Sequence, residues 1–306
     1  MQYAVLADIS QPQQERLAFI EFRLMFLGSA NRPDLARRFG VSESAASRDF
    51  ALYRQLAPNN LHYDRSSALY IPAPDLTPLF HYSAFQVLTA LAEGFGDDFV
   101  ATPRSWLPCE LPSRLNAPEI DVLIPVARAL FNGNPLQMGY RSLSSGLTQK
   151  TIVPLVLVDN GLRWHLRAYE PEQRRYADFV LNRMDQVQVL AGRADQSELR
   201  QADQAWQQIL RLVIKPHPLL RHPDTVAHEY AMRDGSLSLE VRAALAGYLL
   251  RRWNVDCTPD YCLQGPEYLL WLSNAAQLQF QSALTIAPGF MDVGQHRHTE
   301  AMDAEA

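Results

Sequence analysis

The chain has 306 residues, 47% hydrophobic and 20% charged, with a formal net charge of −5, a globular composition at a length that accommodates two or three domains. No apolar run is long enough to span a bilayer, and the start of the chain lacks the basic region and apolar core of a secretory signal, so neither a membrane span nor a secretory signal is expected. The three cysteines, Cys109, Cys257 and Cys262, have no paired zinc-ligand spacing, so the expected setting is a reducing cytoplasm, with neither metal nor cofactor.

Leu17, Ile20, Leu24 and Leu27 fall at helical spacing and predict a first helix over about 14–28. Residues 31–54 then read as two short helices joined by a tight turn. Pro33 suits a first helical position, Gly40 ends the first helix, and Ser42 caps the second. Leu35, Ala36 and Phe39 share an apolar face, onto which Val41, Ala46 and Phe50 pack back. Ser44, Ser47, Arg48 and Arg54 are left outward. Small polar groups allow a helix to approach base edges, and arginine binds guanine or phosphate, so this face suits a DNA major groove. The plainer alternative is a helical hairpin. Six arginines between Arg32 and Arg65 meet four acids, a local excess of only two. One subunit would bind DNA modestly, and a dimer on one duplex fits better.

Leu61 to Ile71 has two β-prone arms about a polar tip at Asp64–Ser67. Beside a helix-turn-helix this hairpin reads as a wing, with Arg65 at its tip able to reach a phosphate or the minor groove. Residues 83–96 look helical. Prolines at 103, 108, 112 and 118 mark a linker. A helix is expected from Glu119 to Phe131, ended by the turn-rich stretch 132–135.

From Leu136 to about Leu190 the pattern changes to strands: Gln137–Leu143, Thr151–Val158, Leu162–Tyr169 and Tyr176–Asn182. Asp159-Asn-Gly161 is a hairpin turn, and short strands joined by tight turns suggest a small barrel. In the third strand Leu162, Trp164, Leu166 and Ala168 alternate with Arg163, His165, Arg167 and Tyr169. Tyr140 and Ser142 share a face of the first strand, and Arg183 closes the fourth. Converging, these groups would form a basic pocket for phosphate, nucleotide or a single-stranded nucleic-acid end; otherwise they form a solvated β-face. In the final third, Ile209–Lys215 and Ser236–Val241 are strand-like and Pro223–Tyr230 and Leu245–Trp253 helical. From about Gly289 a polar, disordered tail is expected, in which His296 and His298 make a poor metal site.

Tyr140-Arg-Ser-Leu-Ser-Ser-Gly146, Ile152-Val-Pro-Leu155, Arg163-Trp-His-Leu-Arg-Ala-Tyr169 and Phe179-Val-Leu-Asn-Arg-Met184 resemble the successive blocks of a WYL domain. The eponymous triplet is Trp164-His165-Leu166, with histidine in place of tyrosine. The whole chain resembles bacterial WYL transcription regulators, and among them the BrxR/CapW-like repressors beside anti-phage systems such as BREX and CBASS. The resemblance implies an α+β protein: a winged helix-turn-helix over 1–80, a helical and proline-rich linker over 81–119, and an Sm-like, SH3-type β-barrel (WYL) over 120–195. A small α/β dimerisation extension (WCX) over 196–288 and the tail 289–306 complete it.

The same resemblance implies a homodimeric repressor of a neighbouring operon, bound to a palindromic double-stranded operator and released by a nucleotide or single-stranded nucleic-acid ligand. Ser42, Ser44, Ser47, Arg48, Arg54 and Arg65 would contact DNA. Tyr140, Ser142, His165, Arg167 and Arg183 would hold the ligand. The alternatives are a WYL-type activator responding to single-stranded DNA and a nucleic-acid-processing enzyme. For the latter the sequence offers no P-loop, no Gly-x-Ser-x-Gly elbow and no His-Glu-x-x-His motif.

Overall fold

A computed structural model describes residues 6, 9–93, 115–278 and 281–291. Pro103, Pro108, Pro112, Cys109, His296, His298 and most of the expected tail lie outside the described residues. The chain divides into two compact units, Met1–Val158 with Trp164–Ala194, and Asp159–Arg163 with Asp195–Ala306.

The first unit opens with α1 (Gln11–Phe22), which runs without a break into a π-helical turn (Arg23–Leu27) ending at Gly28. α2 (Arg32–Phe39) starts at Asn31, whose side chain accepts from the Asp34 amide at 2.8 Å. It stops at Gly40, where φ is +64°, a left-handed conformation that costs glycine little. α3 (Glu43–Leu56) is capped by Ser42, which accepts from the Ala45 amide at 3.2 Å. Ala46, Phe50 and Tyr53, at i, i+4 and i+7, bury one face of α3 against α1 and α2.

The hairpin β1 (Leu61–Asp64) and β2 (Leu69–Pro72) follows, and a single antiparallel bridge joins Ala30 to Tyr70 of β2. The Phe50 and Tyr70 rings stack at 4.1 Å, which fixes α3 against this hairpin. The helix expected over 83–96 is α4 (Ala84–Glu93).

α5 (Ile120–Asn132) buries Val122, Leu123, Val126 and Ala129 in the same hydrophobic core as the four helices before it. It leads into a five-stranded antiparallel sheet. The strands are β3 (Leu136–Ser142), β4 (Gly146–Asp159), β5 (Trp164–Glu170), β6 (Arg175–Val180) and β7 (Met184–Val189), in the order β6-β5-β4-β3-β7. Gly139 of β3 passes so close to β7 that a Cβ would meet the Asp185 carboxylate at 2.0 Å.

Four expectations for this segment are corrected. The second strand starts at Gly146 rather than at Thr151, because residues 146–150 pair with β3 from Met138–Lys150 to Ser142–Gly146. Leu162 and Arg163 are not in a strand: Leu162 is 68% exposed, and the Asn160 side chain accepts from both their amides in the turn before β5. Arg183 lies in a 3₁₀ turn, Leu181–Arg183, rather than at the end of a strand. A closed barrel is not formed by the described ladders, which leave β6 and β7 as edges. The sheet is strongly curled nonetheless. Tyr140 on β3 and Phe179 on β6 stand three strands apart, about 14 Å in a flat sheet, yet their rings meet at 5.2 Å.

The second unit is built on β8 (Ile209–Pro216). It pairs with β9 (Leu237–Arg242) on one side and with β11 (Leu270–Leu272) on the other, and β10 (Val255–Asp256) runs parallel to β11. A short α6 (Gln204–Gln207) precedes β8, α7 (Pro223–Glu229) joins β8 to β9, and α8 (Ala243–Arg252) packs Ala243, Ala246 and Leu250 into the core. The buried pair His217 Nε2 and Asp256 Oδ2 lies at 3.1 Å. The same carboxylate accepts from Thr258 N, Thr258 Oγ1 and Leu263 N, and so holds the loop after β10. Cys257 is buried, and burial pushes its thiol pKa up to about 12. No helix among the described residues is long and apolar enough to cross a membrane.

Candidate nucleic-acid interface and ligand face

The surface of α3 divides cleanly. Ala46, Asp49, Phe50 and Tyr53 are buried, whereas Ser44, Arg48, Ala51, Arg54 and Gln55 are exposed. Ser44, Arg48, Ala51 and Arg54–Gln55 follow one another at helical spacing and form one stripe. Ala51 and Gln55 complete it and were not singled out from the sequence, since neither residue type stands out alone. Ser42 and Ser44 hydroxyls lie 2.9 Å apart at the N-terminus of α3, and Ser47, half-buried, donates to the Glu43 carbonyl at 2.8 Å. Ser42 and Ser47 therefore have backbone roles that fix the start of the helix.

The electrostatics favour an anion more than the residue count suggests. Three of the four acids in 32–65 are engaged by other groups. Asp34 pairs with Arg23 at 3.0 Å, and Asp49 with Arg16 at 2.6 Å; both arginines come from the first helical segment. Asp64 accepts from the amides and hydroxyls of Ser66 and Ser67 at 2.5–3.2 Å, and these hydroxyl and amide donors hold its pKa well below the usual carboxylate range. Arg37, Arg48, Arg54 and Arg65 are exposed, with no ion-pair partner among the described residues. The same Asp64 cage shapes the wing tip that carries Arg65, where Ala68 takes a positive φ of 57°. Tyr63, 42% exposed, adds an aromatic to the wing.

Beneath this surface lies a polar network that the sequence did not suggest. Glu21 on α1 is fully buried. Its carboxylate accepts from Tyr53 Oη at 2.7 Å, Tyr82 Oη at 3.1 Å, Leu79 N at 2.8 Å and Phe80 N at 3.0 Å. Burial raises its pKa, and the four donors work against that rise. Asn60 donates to Tyr53 Oη at 3.0 Å and exchanges hydrogen bonds with the backbone of Thr77. The C-terminal half of α3, the first helix and the strap after the wing are thus locked together.

The expected ligand residues do not share one face. Tyr140 sits in the apolar core beside Phe179, and its hydroxyl accepts from Val180 N at 3.2 Å. Ser142, whose hydroxyl accepts from Ser144 N at 3.2 Å, shapes the β3–β4 turn. On β5, Leu166 and Ala168 face that core, so His165 and Arg167 take the opposite face. Both are buried rather than solvated, and Arg167 pairs with Asp178 on β6 at 3.0 Å. Arg183 is half-exposed, with no side-chain partner among the described residues. Glu170, also buried, binds Lys150 and Arg175. Burial works to raise its pKa, but these two cations prevail and hold it low.

Residues 12–92 match the family model of the BrxR transcriptional regulator winged helix-turn-helix domain. Residues 121–189 match the WYL domain, and 209–278 the BrxR transcriptional regulator C-terminal dimerization domain. The chain is 32% identical over 274 residues to a DNA-binding transcriptional repressor CapW of Escherichia coli (strain KTE188), covering 84% of this chain and 87% of the relative. It is 32% identical over 254 residues to CapW of Stenotrophomonas maltophilia (80% and 84%), and 29% over 285 residues to CapW of Pseudomonas aeruginosa (87% and 91%). A solved structure, the proteasome accessory factor B/C (PafBC) of Arthrobacter aurescens, aligns at a TM-score of 0.26 and 17% identity, covering 78% of this chain and 44% of that one.

Proposed function

Since this chain belongs to the BrxR/CapW family of winged-helix, WYL-domain transcriptional regulators, we propose that it works as a homodimeric, sequence-specific repressor of an anti-phage defence operon. Its relatives named CapW are DNA-binding transcriptional repressors. The observation that carries the proposal is the exposed stripe on α3, Ser44, Arg48, Ala51 and Arg54, beside a wing tip that presents Arg65. Arg48 and Ser44 read base edges, and Arg54 and Arg65 hold phosphates. Two such surfaces, paired through the C-terminal domain, bind a palindromic operator. Ser42 and Ser47 serve by setting the start of α3.

The WYL segment, a curled sheet of Sm-like, SH3-type form, senses a nucleic-acid-derived ligand. Arg183 and the His165/Arg167 face bind its phosphates, while Tyr140 and Ser142 shape the sheet that carries them. The ligand favours a dimer geometry that no longer spans both half-sites, which requires it to bind that state better than the operator-bound one.

Binding of the purified chain to duplex DNA from upstream of its own gene, with and without short single-stranded oligonucleotides, tests this. Specific, salt-dependent binding that the oligonucleotide releases supports a nucleic-acid-sensing repressor. Specific binding without release removes the proposed ligand and keeps the repressor. Absence of specific binding overturns the repressor itself.

A further inference from the structure

One turn of the first helix is gripped from three sides. Glu21, at its start, holds Tyr53 of α3 and the strap at Leu79 and Phe80. Arg23 reaches Asp34 of α2 at 3.0 Å. At its end, Arg128 of α5 donates from Nε to the Met25 carbonyl at 2.6 Å and from Nη2 to the Leu24 carbonyl at 3.2 Å. Those carbonyls belong to the π-helical turn Arg23–Leu27. A helix end leaves carbonyls without an intrahelical donor, and π-turns inside helices are frequent at functional sites. Here a guanidinium from the first helix of the WYL segment supplies the missing donors, and its planar fork matches two adjacent carbonyls as a lysine cannot.

We propose that Arg128 is a positioning residue for DNA binding. It fixes the end of α1, and Glu21, three and four residues before the gripped carbonyls, passes that position to the base of the recognition helix. The helix that carries Arg128 leads through the three-residue turn 133–135 into β3 of the WYL sheet. A shift of that sheet therefore moves the grip first and α3 second. Beside the grip, a cavity of about 530 Å³ between Arg128, Met25, Ile71 and Leu76 leaves the base of the wing room to follow. This coupling rests on the repressor proposed above, and its test separates the two.

Arg128→Met and Arg128→Lys are compared with the wild-type chain by amide hydrogen exchange, by affinity for the duplex from upstream of the gene, and by the effect of a short single-stranded DNA on that affinity. In Arg128→Met, exchange over Glu43–Leu56 speeds up while exchange over Ile209–Pro216 stays unchanged. Duplex affinity falls about tenfold, the single-stranded DNA no longer alters it, and Arg128→Lys recovers part of both. Unchanged exchange in α3 and duplex affinity within about twofold of wild type, with only the melting temperature lowered, would overturn the proposal. A wild-type chain that does not bind the duplex overturns the repressor instead, and Arg128 is then decided by the exchange of α3 alone.

Discussion

Tyr53 donates its hydroxyl hydrogen to Glu21 Oε2 at 2.7 Å, joining α3 to α1 where neither side chain meets solvent. Glu21→Gln keeps the shape but places an amide N–H₂ where four donors converge. It should cost about 1–3 kcal/mol in unfolding free energy, the range for an unsatisfied buried polar group.

That cost should depend on pH. Burial raises the Glu21 pKa in the folded chain from its ordinary value of 4.5, so the folded state binds its proton more tightly than the unfolded state does. The associated stabilisation is complete below the unfolded value and is lost as pH rises through the folded one. Glutamine lacks it at every pH. Urea unfolding of both proteins should show the penalty of Glu21→Gln greatest below pH 4.5 and shrinking towards neutrality. A penalty that grows with pH contradicts the assigned direction.

Arg48 and Arg54 lie on the exposed stripe of α3 but have different proposed tasks. Arg48→Ala should weaken operator binding by about 1–3 kcal/mol and relax preference at one base pair. Arg54→Ala should weaken specific and nonspecific DNA alike and lower the salt slope by about one ion. Fluorescence anisotropy over a salt series separates them. Equal loss on specific and nonspecific DNA for Arg48→Ala would remove its base-reading role.

How much of this was legible in the sequence follows from the range of the interactions. Pro33, Gly40 and Ser42 act within a few residues, so the limits of α2 and α3 could be read from local spacing, as could the wing. Family resemblance added the domain order. Glu21 gave no such warning: a glutamate inside a helix is ordinary, and its four donors come from residues 53, 79, 80 and 82. The start of β4 was hidden because Gly146–Lys150 is mostly polar, and its strand character comes from pairing with β3. Strand alternation correctly separated Leu166 and Ala168 from His165 and Arg167. It could not tell that the second face is buried too, because Asp178, which pairs with Arg167, comes from the next strand.

The two arginines of the proposed ligand site should now behave differently. Arg167 is paired with Asp178, and their side chains are 8% and 17% exposed. Arg167→Ala leaves that carboxylate largely desolvated and without this partner, so it should lower stability by about 1–3 kcal/mol. Any loss of ligand response in that variant is therefore mixed with a loss of fold. Arg183 is half-exposed on its 3₁₀ turn, with no side-chain partner to strand among the described residues. Arg183→Ala should leave the melting temperature and operator affinity near wild type while abolishing release by single-stranded oligonucleotide. Calorimetric titration of the oligonucleotide into each variant, beside its thermal melt, makes the comparison. Full release in Arg183→Ala would exclude Arg183 from the ligand site, and a melting temperature unchanged in Arg167→Ala would show that the pair with Asp178 contributes little to the sheet.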